Sequence, residues 1–257
     1  MSELESAAAA IRGGELVVYP TETVYGLGAN AVDPEAVERV FEAKGRDRSK
    51  PVSMAVSSVP SALEYVRASD REREFMATFL PGPVTVLCRR RDAVPDELTA
   101  GADRVGVRVP DHTLALRLCE RAGTPITATS ANVSGRGSVR RLEDLQPAIR
   151  EAVAVTLDDG EAPGTESTVV DVSSGTIHRR GARADEIERW LETNYPSPSN
   201  DRSVRVRTPH SSANSQASHF ARSSILAGGP SSSRISRSAR RYRALRRVVS
   251  RTRRITP

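Results

Sequence analysis

Lysine is nearly missing from this chain: Lys44 and Lys50 are the only two among 38 basic residues, and both fall in one short segment. Cysteine is as scarce. Cys88 and Cys119 have no metal-type spacing, and they read as small buried hydrophobes. Only four histidines occur, and two of these (His210, His219) stand near the C-terminus. No Ser-His-Asp arrangement and no His/Cys zinc motif can be traced from so few. There is no Gly-x-x-x-x-Gly-Lys-Ser/Thr segment and no Gly-x-Gly-x-x-Gly segment, so the two commonest nucleotide loops are excluded. No apolar run is long enough for a membrane span. The N-terminus, Ser-Glu-Leu-Glu followed by four alanines, lacks the basic start and apolar core of a signal peptide. The expectation is a soluble, cytoplasmic protein with no membrane contact.

The charge is unevenly spread. Residues 1–194 carry 24 Lys+Arg against 31 Asp+Glu, whereas residues 195–257 carry 14 Arg, no Lys and one acid, Asp201. Fifteen serines join those arginines, with few regularly spaced apolar residues. Such a composition buries too little apolar surface to offset chain entropy. Two segments are therefore expected: a mildly acidic globular domain over 1–194 and a disordered basic tail over 195–257. The tail could contact RNA phosphates, although Phe220 and Tyr242, with Tyr195 at its start, make a poor stacking surface. Out-of-frame coding is the other reading of it.

The most informative stretch is Tyr19-Pro20-Thr21-Glu22-Thr23-Val24-Tyr25-Gly26-Leu27-Gly28. It follows the apolar run Leu16–Tyr19, a buried strand by its pattern. Pro20 ends the strand, and Gly26 and Gly28 let the backbone turn sharply or approach a ligand closely. A helix over 2–12 precedes it, ending at Gly13-Gly14. Asp33 and Pro34 open a second helix through about Ala43, with Val37, Val40 and Phe41 inward. That helix runs into Lys44-Gly45-Arg46-Asp47-Arg48-Ser49-Lys50-Pro51, which is either a solvated basic loop or a clamp for a triphosphate. Further strands are expected at Val52–Val56, Val84–Cys88, Val105–Pro110, Ile126–Thr129, Val153–Leu157, Val169–Val172 and from Ile177. Further helices are expected at Ser61–Tyr65, Asp70–Leu80, His112–Arg121, Leu142–Glu151 and Asp185–Leu191. Arg108 stands alone among valines and must face a carboxylate ligand or a structural acid. Ser130-Ala131-Asn132-Val133-Ser134-Gly135 forms a turn whose neutral donors and acceptors suit ligand recognition or plain capping.

Pro20 through Leu27 closely resembles the opening signature of the YrdC-type threonylcarbamoyl-AMP synthase family. The segments Lys44–Pro51, Pro81–Thr85, Arg108–Pro110, Ser130–Gly135 and Glu166–Asp171 resemble the same family in the same order. The resemblance spans roughly residues 10 to 190. It goes with an α/β fold: a twisted, mixed parallel/antiparallel sheet with flanking helices and a central cavity (YrdC-like). It implies a nucleotidyltransferase that converts L-threonine, bicarbonate and ATP to L-threonylcarbamoyl-AMP and pyrophosphate, with Mg2+ accompanying ATP. A tRNA-modification machinery would receive the product. By resemblance, Thr23, Arg108 and Ser167 bind threonine. Arg46, Lys50, Ser130, Asn132, Ser138 and Arg180 bind ATP, and Lys44, Arg46 and Lys50 are the catalytic cations; no protein metal site is implied. Ala55 stands where many relatives have a histidine, which implies a missing contact. The competing expectation is a non-catalytic RNA-binding protein that uses the basic cavity and the tail.

Overall fold

The computed structural model describes residues 2–194, so the expectations placed on residues 195–257 lie outside the described residues. The chain opens with helix α1 (Glu3–Arg12), capped by the Ser2 hydroxyl and closed at Gly13. Strand β1 (Leu16–Tyr19) is buried throughout. The next element departs from expectation. Gly26–Gly28 is strand β2, paired antiparallel to β1 with Tyr19 opposite Gly26. The Pro-Thr-Glu-Thr motif is therefore the loop of a hairpin. A Cβ on Gly26 would come within 2.7 Å of the Tyr19 ring. Glycine is needed there for close approach of an aromatic face, not for a turn.

Helix α2 (Pro34–Lys44) begins as its sequence predicts, with the Asp33 carboxylate accepting from the backbone N–H groups of Glu35 and Ala36. It ends at Gly45 in the left-handed region, φ 55°. There follow β3 (Ser53–Ala55), α3 (Val59–Ala62), β4 (Val66–Arg67), α4 (Asp70–Phe79), β5 (Val84–Arg90), α5 (Asp96–Thr99) and β6 (Arg104–Arg108). Then come α6 (Thr113–Ala122) and β7 (Ile126–Ser130). The single helix expected over 142–151 is split into a 3-10 turn, Leu142–Asp144, and α7 (Pro147–Ala152). Pro147 has no N–H to continue a helix and instead starts a new one. The last elements are β8 (Val153–Thr156), β9 (Thr168–Asp171), β10 (Thr176–Arg179) and α8 (Ala184–Asn194).

The strands form one mixed sheet in the order β10-β9-β5-β6-β3-β7-β2-β1-β8, with β4 also on β5. The pairs β1–β8, β3–β6 and β5–β9 are parallel, and the others are antiparallel. Strand alternation divides the two faces. Val84, Val86, Val105 and Val107 pack against Phe75, Phe79 and Trp190 from α4 and α8. The Phe75 and Trp190 rings meet edge to face at 5.0 Å. A second cluster joins α1 and α6 to Tyr19, Ala55 and Ile126, and a third joins α2 and α7 to Leu16, Val18 and Leu27. Both cysteines are buried as expected, and burial pushes each thiol up to about 12. The alternate residues, Thr85 and Leu87 on β5 and Arg104, Gly106 and Arg108 on β6, are left to line a cavity.

Candidate active site

The cavity holds about 460 Å³ and is walled by the β1–β2 hairpin, the basic loop, and strands β3, β5, β6, β7, β9 and β10. Its floor is kept low by Gly106: a Cβ there would lie 2.9 Å from both the Ser53 Cβ and the Thr85 Cγ2.

One end of the cavity is organised by Arg108. Its Nη2 donates to the Thr23 hydroxyl at 2.8 Å and lies 2.9 Å from the Glu22 carboxylate. Thr23 in turn shares a 2.8 Å hydrogen bond with Thr21, whose Oγ1 also ties the loop to Val24. On the facing side, Ser167 and Thr85 hydroxyls are 3.1 Å apart. Arg179 closes over Ser167. Its Nε donates to the Ser167 carbonyl at 3.0 Å and its Nη2 to the hydroxyl at 2.9 Å. Its Nη1 pairs with Glu166 at 2.9 Å. Thr23, Arg108 and Ser167 are thus brought to one cavity.

The other cation of note is Arg46. It donates to the backbone carbonyls of Lys50 and Pro51, both at 3.0 Å. Three other arginines line the wall, and each has a carboxylate partner: Arg104 with Glu72 and Asp171, Arg108 with Glu22, and Arg179 with Glu166. Arg46 has none in the described structure. Burial, and then the nearby Arg179 charge, pull its pKa below the ordinary arginine value. Two like charges facing one space favour an anion between them.

The remaining expected residues are placed differently. Lys44 does not line the cavity. Its ammonium is buried and donates to the Ser130 and Asn132 carbonyls, the latter at 2.6 Å. Burial first, and then Arg46, push it down to about 8, while Glu166 works the other way. It is a tether between α2 and the Ser130–Asn132 turn. Lys50 is exposed and does not line the cavity, and its carbonyl accepts from Arg46. Ser130 does line the cavity, and its hydroxyl donates to Asn132 Oδ1. The Asn132 amide is spent on the Val133 and Arg136 carbonyls at 2.9 and 2.8 Å. Ser138 donates to Glu166 at 2.7 Å, behind the wall. Arg180 points outward to Asp185 at 2.6 Å and Glu188 at 3.1 Å. Its neighbour Arg179 takes the cavity position. Ala55 is fully buried beside Tyr19 and does not reach the cavity.

Residues 9–181 match the family model Sua5_yciO_yrdC, whose description reads "Telomere recombination". The chain belongs to this Sua5/YciO/YrdC family. Curated relatives include the threonylcarbamoyl-AMP synthases of Pyrococcus abyssi and Bacillus subtilis. The first is 39% identical over 194 residues, covering 74% of this chain and 57% of that protein. The second is 40% identical over 172 residues, covering 65% and 49%. The chain therefore spans about half the length of these two relatives. The crystal structure of P. abyssi Sua5 complexed with L-threonine superposes with a TM-score of 0.70 at 39% identity, covering 74% of this chain and 58% of that one. Escherichia coli YciO shares the fold, with a TM-score of 0.65 at 23% identity, covering 70% and 89%.

Sequence reading alone gave no site role to several wall residues of this Sua5/YciO/YrdC domain, among them Ser53, Thr85, Arg104, His178 and Arg179. Strand alternation was the available signal for two of them. Thr85 falls between buried Val84 and Val86, and Arg104 has the same parity as Arg108.

Proposed function

We propose that this protein is a threonylcarbamoyl-AMP synthase, converting L-threonine, bicarbonate and ATP to L-threonylcarbamoyl-AMP and pyrophosphate. The observation that carries the reading is the two-ended cavity. Arg108 with the Thr23 and Ser167 hydroxyls forms a subsite for a hydroxylated amino acid, and Arg46 and Arg179 form an anion-binding one beside it. The Arg108 guanidinium takes the amino-acid carboxylate, with Thr23 and Ser167 near its polar atoms. The threonine amine then attacks the carbon of bicarbonate, a water leaves, and a carbamate forms. A carbamate oxygen attacks the α-phosphorus of ATP, and the bond to pyrophosphate breaks. Arg46 and Arg179 hold the phosphates and offset the charge that develops on the leaving group. The contribution of the protein is largely positioning of three small reactants in one enclosed space.

Magnesium fits this scheme as part of the nucleotide complex. Among the described residues no group of three or more His, Cys, Asp or Glu side chains is placed to hold an ion. Glu166, the carboxylate on the wall, already accepts from Arg179 and Ser138. The ATP phosphates would therefore supply most of the ligands, and the ion would neutralise them. Transfer of the product to a tRNA-modification machinery, in the cytoplasm, completes the reading. The test is pyrophosphate release by the full chain with ATP and magnesium. Release that requires both threonine and bicarbonate is expected. Release that is indifferent to either one would overturn the assignment.

A further inference from the structure

Glu22 belongs to the most informative stretch of the sequence, yet the reaction above gives it no part. Its carboxylate does not wall the cavity, whereas Arg108 does. Its Oε1 lies 2.9 Å from the Arg108 Nη2, and the side chain is only 15% exposed. Neither carboxylate oxygen accepts a hydrogen bond. A carboxylate taken from water without donors is costly, so Arg108 is the charge that keeps it there. The hairpin loop holds the arrangement rigid. Thr21 Oγ1 accepts from the backbone N–H groups of Thr23 and Val24, both at 3.2 Å, and donates to the Val24 carbonyl at 2.7 Å. Consecutive residues 22 and 23 are thereby both presented to one guanidinium.

The consequence is electrostatic. Arg108 and Glu22 together carry no net charge, but the positive group faces the cavity and the negative group lies 2.9 Å from it, outside the wall, so that its field still reaches the subsite. A ligand with one charge of each sign complements such a pair. A ligand with a carboxylate alone is held by Arg108 and repelled by Glu22. We infer that Glu22 is a specificity-determining residue that makes the Arg108 subsite select a zwitterionic α-amino acid over a carboxylate of the same shape without the amine. This inference rests on the amino-acid subsite of the proposed function. It concerns which class of molecule enters, not how the reaction proceeds.

The test compares L-threonine with its deaminated counterpart, 3-hydroxybutyrate, by calorimetric titration of the full chain without bicarbonate. Both ligands make the carboxylate contact, so the ratio of their affinities isolates the amine. The wild-type protein is expected to prefer threonine by at least about tenfold, and E22Q to reduce that preference by about tenfold. E22D, which keeps the charge, is expected to retain most of it. A merely structural role would weaken both ligands alike and leave the ratio unmoved. An E22Q ratio equal to that of the wild type overturns the inference and leaves the proposed function standing. The wild-type ratio needs no variant to fold: if 3-hydroxybutyrate binds as tightly as threonine, the inference also falls. If the wild type binds no threonine, the functional reading is lost and the inference with it.

Discussion

Arg179 grips Ser167 at two points, through its Nε to the carbonyl at 3.0 Å and its Nη2 to the hydroxyl at 2.9 Å. The same guanidinium pairs with Glu166 and lines the cavity. Its neighbour Arg180 turns the other way, to Asp185 and Glu188 on the exposed face. Two adjacent arginines thus have separate fates. Replacing Arg179 with alanine is expected to lower turnover roughly a hundredfold, as removal of a single charge-stabilising donor typically does. Replacing Arg180 is expected to change turnover less than about twofold, since exposed ion pairs contribute little. Steady-state pyrophosphate release from the two variants measured side by side checks this. Equal losses would mean that the cavity does not bind the nucleotide beside Arg179.

Lys44 should reveal itself through pH. Its folded value lies near 8, below the ordinary lysine value of 10.5, because burial disfavours the ammonium. Between those two values the unfolded chain holds the proton more tightly than the folded one. Stability from this group therefore rises as pH climbs from about 8 to about 10.5, by an amount on the order of 3 kcal/mol at most. Tyr19 and Tyr25 oppose it at the alkaline end, since burial raises Tyr25 to about 12 and Tyr19 higher still. The useful quantity is the difference between wild type and K44M in urea denaturation, in which the tyrosine contributions cancel. That difference is expected to grow in favour of the wild type with rising pH. A flat difference would mean that the ammonium is not buried as described. K44M should also be less stable near pH 7.5, because the Ser130 and Asn132 carbonyls lose their donor.

Gly106 offers a test of cavity shape that leaves every charged group in place. Alanine there would drive a Cβ into the Ser53 Oγ and place it 2.9 Å from the Ser53 Cβ and the Thr85 Cγ2. The central strands must part by a few tenths of an ångström, which should cost about 1–3 kcal/mol of stability. The floor rises beneath the ligand at the same time. G106A is expected to raise the KM for threonine more than that for ATP. Adding S53G, which removes two of the three clashing atoms, should recover part of both losses. A G106A protein with unchanged KM values would place the amino acid away from this floor.

Much of this arrangement was legible from residue patterns, and the exceptions have physical causes. The Asp33-Pro34 start of α2 and the buried run of β1 are local signals, decided by capping and alternation, and they appear where expected. Gly26–Gly28 does not look like a strand, because glycine has little intrinsic preference for one. It becomes a strand here since the Tyr19 ring lies across it. The choice between Arg179 and Arg180 could not be made from parity. The β9–β10 register shifts between Ile177 and Arg179, which resets the side to which the following residues point. Lys44 is counted among the catalytic cations by resemblance, as it shares one basic segment with Arg46 and Lys50. Only the fold shows that two carbonyls from the Ser130–Asn132 turn reach it first.

Arg46 is the wall arginine in the described structure without a carboxylate partner, and this sets it apart energetically. The charges of Arg104, Arg108 and Arg179 are already offset by protein acids, so an entering anion gains mainly directed hydrogen bonds from them. At Arg46 it also gains an uncompensated charge, in a site where burial already disfavours that charge. The backbone carbonyls of Lys50 and Pro51 hold the guanidinium in place without neutralising it. R46A is accordingly expected to weaken ATP binding by about 2 kcal/mol, or roughly thirtyfold. R46K should recover only a small part, because a single ammonium cannot satisfy both carbonyls and a phosphate in the same geometry. Threonine affinity should stay within about twofold, since Arg108 and Ser167 supply that subsite. Calorimetry with ATP and with threonine on the same preparations separates these outcomes. If R46A binds ATP as tightly as wild type, the uncompensated charge serves some other anion, and the nucleotide must be placed elsewhere along the wall.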